Sequence, residues 1–128
     1  MAPVRLLHIE DNLSDIAIVR AIVSERHLDC VVVAVHTLAE AKMAMAGESW
    51  DVVLLDLILP DSRKPLHTAG VVAAFSSCPV IVITGAESPE ALRAAVEPIT
   101  NRVRFIVKRD LAENPALLTA AIISAMEK

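Results

Sequence analysis

Residues 52–61 read Val52-Val53-Leu54-Leu55-Asp56-Leu57-Ile58-Leu59-Pro60-Asp61. Four aliphatic residues lead up to one carboxylate, and three more follow it before the proline. An ionised carboxylate is rarely buried without a partner. A continuous aliphatic run, by contrast, marks a strand covered on both faces. Val52–Asp56 therefore reads as a strand from the centre of a sheet, with Asp56 as its polar tip.

Working outward from this stretch, strand-like and helix-like segments alternate. Val4–Ile9 is an apolar strand. Ser14 is expected to cap a helix running to about Glu25, with Ile16, Val19, Ile22 and Val23 at helical spacing. Cys30–Val35 is valine-rich and reads as a strand. Thr37-Leu38-Ala39-Glu40 forms a capping box that opens a helix to about Ala46. The loop Asp61-Ser62-Arg63-Lys64-Pro65 leads into a helix ending near Ser76. Val80–Thr84 is a fourth strand, followed by Ser88 as cap and Pro89 as first helical residue. Arg104–Val107 is the fifth. Asn114-Pro115 opens the last helix, whose apolar face is Leu117, Leu118, Ala121, Ile122 and Ala125. Five β/α units in this order imply an α/β fold, an open, doubly wound parallel sheet with helices on both faces.

The bulk properties narrow the function. At 128 residues the chain makes one domain, residues 1–128, with a single substantial core. A net charge of −4 argues against a nucleic-acid binder, which needs a basic face. Cys30 and Cys78 match no zinc or redox spacing and read as buried thiols in a reducing compartment. The N-terminal apolar stretch is too short for a signal peptide. Residues 65–86 carry no Asp, Glu, Lys or Arg and are long enough to span a bilayer. Gly70, Ser76, Ser77 and Pro79 break that segment into two soluble elements. The expectation is a cytoplasmic protein without membrane insertion.

In a parallel sheet all C-terminal strand ends share one edge, and ligands bind there. The first strand stops at Glu10-Asp11, the third at Asp56, the fourth at Thr84 and the fifth at Lys108. Two carboxylates about 4 Å apart repel by roughly 4 kcal/mol at an effective dielectric near 20. Three together need a proton or a cation. Mg²⁺ suits them, because it prefers oxygen ligands and commonly joins carboxylates to a phosphate. Lys108 and Thr84 can then neutralise and hydrogen-bond phosphoryl oxygens, leaving Asp56 as nucleophile.

At these residues the sequence resembles the receiver domain of two-component response regulators over essentially its whole length. The matching pieces are Leu6-Leu7-His8-Ile9-Glu10-Asp11-Asn12, Asp51 to Ser62, Val80-Ile81-Val82-Ile83-Thr84-Gly85 and Phe105-Ile106-Val107-Lys108. The resemblance implies a flavodoxin-like sheet of order 2-1-3-4-5. It implies that Asp56 accepts a phosphoryl group from a phosphohistidine on a sensor histidine kinase or a histidine phosphotransfer protein. Glu10, Asp11, Asp56 and the backbone carbonyl of Ile58 would hold Mg²⁺, and Thr84 and Lys108 would bind the phosphoryl group. Phe105 would be the aromatic switch residue. Phosphorylation would shift a two-state equilibrium on the face formed by the fourth helix, the fifth strand and the last helix, toward a downstream target protein. Such a chain is a switch rather than an enzyme, at most promoting its own phosphorylation and dephosphorylation. No output domain is expected after the last helix, whether the chain is a stand-alone receiver or a fragment.

Several positions depart from the family pattern. Arg109 follows Lys108 where a proline is usual, Lys64 stands near a usual glycine, and Asn101-Arg102 replaces Gly-Ala. Pro98 should cut the fourth helix short. These departures keep open a degenerate receiver that acts as a phosphorylation-independent interaction module. A dehalogenase-like phosphatase would need a second acid two positions beyond Asp56, where Ile58 stands. Taken singly, Asp56 is equally consistent with a helix cap or a partner for Lys108, and Glu10-Asp11 with a solvated turn. His8, His27, His36 and His67 show no ligand spacing. Trp50, Met43 and Met45 read as packing and surface residues.

Overall fold

The computed structural model describes residues 3–85, 89–98 and 103–127. Five strands are present: β1 (Val4–Ile9), β2 (Cys30–Val35), β3 (Val52–Leu55), β4 (Val80–Thr84) and β5 (Val103–Val107). All pair in parallel in the order β2-β1-β3-β4-β5, so β3 is central. Helices α1 (Leu13–Glu25), α2 (Leu38–Gly47), α3 (Pro65–Phe75), α4 (Pro89–Val96), α5 (Lys108–Glu113) and α6 (Ala116–Met126) cover both faces.

The sheet divides the core in two. Leu7, Ile9, Val53, Leu55 and Val82 meet Leu38 and Ala41 of α2, Ala69 and Val72 of α3, and Val96 of α4. Leu6, Val52, Leu54, Ile81, Ile83 and Ile106 meet Val19, Ile22 and Val23 of α1, Leu111 of α5, and Leu118 and Ile122 of α6. Successive residues of β3 and β4 thus enter opposite cores, which is why Val52–Leu55 and Val80–Ile83 are aliphatic without a break. The described part of residues 65–86 separates into α3 and β4, and no described helix is long and apolar enough to cross a membrane.

Several boundaries differ from the sequence reading. Helix α1 starts one residue before Ser14, and its cap is Asn12, whose Oδ1 accepts from the Asp15 N–H at 3.1 Å. Asn12 has extended backbone and an amide oxygen within reach, the usual requirements of an N-cap. Strand β3 ends at Leu55 rather than Asp56. The Thr37 half of the box on α2 forms, its Oγ1 accepting from Glu40 N–H at 3.1 Å, while Glu40 Oε1 accepts from His36 N–H, one residue before the cap, at 3.2 Å. Helix α4 ends at Val96, two residues before Pro98. Ser88, Asn101 and Arg102 lie outside the described residues.

The end of the chain carries a helix the sequence reading lacked. Helix α5 begins at Lys108 itself and buries Leu111. With α6 following, Leu118 and Ile122 are fully buried, but Leu117 lies partly in solvent, 38% exposed. Cys30 and Cys78 are half-buried thiols outside any disulfide, not fully buried ones. Trp50 is buried, donating its indole N–H to the Ala44 carbonyl at 3.0 Å beneath the Arg5 guanidinium.

Candidate phosphoacceptor site

The loop after β3 closes without the glycine. Lys64 has φ −101° and ψ 111°, ordinary extended backbone that any residue adopts. Pro65 then starts α3. Two backbone hydrogen bonds between Leu59 and Ser62, at 2.9 and 3.1 Å, tighten the turn through Pro60-Asp61. The Ser62 and Thr68 hydroxyls meet at 2.6 Å in the interior and tie the turn to α3. Asp61 accepts from the N–H groups of Leu38 at 2.8 Å and Ala39 at 3.0 Å, anchoring the loop on the first turn of α2.

This turn fixes the approach to Asp56. Its N–H donates to the Ile9 carbonyl at 3.0 Å, continuing the pairing of β1 with β3 beyond the last strand residue. Its Oδ1 accepts from the Ile58 N–H at 3.0 Å, an Asx-type bond that turns the chain. Glu10 follows β1, its N–H donating to Val35 at 2.9 Å, and its side chain is only 2% exposed. Asp11 stands beside it, exposed to solvent. One oxygen from each of Glu10, Asp11 and Asp56 lies within 4.8 Å of the others.

Lys108 enters this cluster from the far side. Its Nζ lies 2.7 Å from Asp15 Oδ2, 3.3 Å from Glu10 Oε1 and 3.6 Å from Asp56 Oδ2. Burial opposes the ammonium charge, but the hydrogen bond to Asp15 and the fields of Asp56 and Glu10 outweigh it and hold the group above the usual lysine range. Burial first, then the hydrogen bond and charge of Asp56, push the Glu10 carboxyl up to about 8 despite Lys108. Behind it, burial lowers the His8 imidazole to about 4. Thr84 is buried at the end of β4, paired in register with Val107, the residue before Lys108. Asp56, Ile58, Thr84 and Lys108 together line an open cleft of about 740 Å³ between α3 and α4.

The structure therefore brings Glu10, Asp11, Asp56, Thr84 and Lys108 to one edge. Ile58 is held beside Asp56 through its N–H. Phe105 is not in the cluster: it is half-buried in β5 against the α2–α3–α4 core, with the Arg93 guanidinium 5.4 Å above its ring. Asp15 was missed by the sequence reading. Its signal was its place in the first turn of α1, four residues after Asp11. The oxygen-only donor set fits a hard divalent cation. So does Glu10 Oε2, which is buried without a hydrogen-bond partner among the described residues.

No protein-family model and no curated protein matches the sequence. Solved structures match over nearly the whole chain. The N-terminal receiver domain of RstA from Klebsiella pneumoniae, in a BeF3-activated form, superposes with a TM-score of 0.81 at 20% identity, covering 97% of this chain and 99% of that one. A two-component response regulator from Clostridium difficile gives 0.78 at 14% identity, covering 98% and 99%. The chain has the receiver-domain fold. The receiver domain of a sensor histidine kinase from Pseudomonas aeruginosa, with a magnesium ion in its active-site cleft, gives 0.76 at 19% identity, covering 98% of each chain. In this receiver fold, the charged cluster stands at the C-terminal edge of the sheet, where β1 and β3 lie side by side.

Proposed function

We propose that this receiver is a phosphorylation-dependent signalling switch or phosphorelay intermediate with Asp56 as the phosphoacceptor. The observation that carries the reading is the convergence of three carboxylates with Lys108 on one strand edge. A structural role for Asp56 would need one cation; it would not need Glu10 and Asp11 crowded against it.

Asp56 Oδ1 is tied to the Ile58 N–H, which leaves Oδ2 as the attacking oxygen. As the Oδ2–P bond forms, the P–N bond of a donor phosphohistidine breaks, and the electron pair departs with the imidazole, which takes up a proton. Lys108 and Thr84 would receive the phosphoryl oxygens. Glu10, Asp11, Asp56 and the Ile58 carbonyl would hold Mg²⁺. When bound, the ion supplies positive charge shared between these carboxylates and the incoming phosphoryl oxygens. The donors proposed are a sensor histidine kinase or histidine phosphotransfer protein, and the product is a switch acting on a target protein through the Phe105 face, not an enzyme with turnover. Residues 1–128 would act as one receiver unit in the cytoplasm, with no direct contact with nucleic acid or membrane.

The test is the intact mass after incubation with a small-molecule phosphodonor, with and without Mg²⁺. One phosphoryl adduct is expected, dependent on Mg²⁺ and absent in Asp56→Asn. No adduct, together with no binding of beryllofluoride, would sink the reading and leave a phosphorylation-independent interaction module.

A further inference from the structure

Lys108 faces three carboxylates, and its shortest contact is to the one outside the proposed acceptor set. The 2.7 Å separation from Asp15 Oδ2 is a charge-assisted hydrogen bond. At 3.6 Å, Asp56 Oδ2 is beyond ordinary hydrogen-bond reach. Both backbones are fixed: Asp15 sits in the first turn of α1 with its N–H on Asn12, and Lys108 is the first residue of α5. The ammonium on its flexible stem is thus drawn toward α1 and away from the oxygen that would carry a phosphoryl group.

Resting on the phosphoacceptor reading, we propose that Asp15 is a positioning residue that competes with the phosphoryl group for Lys108. An anion seated on Asp56 must draw the lysine nitrogen from Asp15 or share it. Asp15 also places a further negative charge beside the site, which disfavours any incoming anion. The two effects have the same sign. The Asp15 and Lys108 side chains are 26% and 30% exposed, so water takes over part of what each loses when they separate. The competition is therefore partial and adjusts occupancy without preventing it.

The experiment compares beryllofluoride affinity, at Mg²⁺ saturating for each protein, between wild type, Asp15→Asn and Asp15→Glu. Asp15→Asn should bind about two- to fivefold more tightly, the upper part of the range expected of a part-exposed ion pair. Asp15→Glu keeps the competing charge and should stay within about twofold of wild type. In the metal-free protein, NMR should show the Lys108 ammonium protons protected from exchange in wild type and Asp15→Glu but not in Asp15→Asn, a readout independent of phosphoryl chemistry. Equal or weaker binding by Asp15→Asn, with wild type binding normally, would overturn the competition alone. So would unchanged Lys108 protection in that variant. Failure of wild type itself to bind would overturn the phosphoacceptor reading, and the competition with it.

Discussion

At Glu10 the side chain is almost wholly enclosed, and one of its oxygens has no hydrogen-bond partner among the described residues. Burial and the neighbouring Asp56 raise its carboxyl from 4.5 to about 8. A raised carboxyl favours the protonated fold: its contribution is fully present below the unfolded value and is lost as pH climbs through the folded one. Metal-free protein should therefore lose stability between those two values. Glu10→Gln removes that loss. Urea denaturation without metal should find the variant more stable by about 1–3 kcal/mol near pH 9, with the difference closing near pH 4. At saturating Mg²⁺ the order should reverse, because the wild type gains a ligand that the variant has lost.

Among the elements, the turn after β3 and the start of α2 are held together by one exposed side chain. Asp61 accepts two N–H groups that the helix itself cannot satisfy. Those donors hold its carboxyl below the usual range, so its contribution is present at neutral pH and is lost as pH falls through that lowered value. Asp61→Ala should cost about 0.5–1 kcal/mol, the low end for a cap because the group is solvent-screened. Hydrogen exchange should quicken at Leu38 and Ala39 more than elsewhere. This bond was invisible in the sequence, where Asp61 is 22 to 23 residues from its donors. What could be read were the features written locally: the aliphatic strands, the Thr37–Glu40 box, Pro65 and Pro89 at helix starts. Helix α5 escaped because its six residues contain one buried apolar side chain, too few to show a period. The site residues at strand ends were legible because parallel topology alone brings those ends together. Asp15 was not, because it lies inside a helix and reaches the site only through Lys108.

For the molecule as a whole, a cation that binds the folded cluster and not the unfolded chain adds stability by mass action. At Mg²⁺ about ten times its dissociation constant the gain is about 1.4 kcal/mol, so the melting temperature should rise by roughly 4–5 °C. Asp11→Asn should blunt that rise while leaving the metal-free melting point near wild type, since Asp11 is exposed. Calorimetry at two metal concentrations checks both.

The charges of this cluster arrive from chain positions 10, 11, 15, 56 and 108, and the one lysine among them is the last to be synthesised. A nascent chain that has emerged only through β4 holds four acidic residues destined for one place and none of the positive charge that belongs among them. Domains begin to organise from the N-terminus during synthesis. Here, though, the strands that carry Glu10 and Asp56 can pair while their tips still repel, and β5 then brings Lys108 to relieve them. Asp56 thus reaches its final surroundings only when the sheet is complete. An unfinished or clipped chain would hold the proposed acceptor in the wrong company.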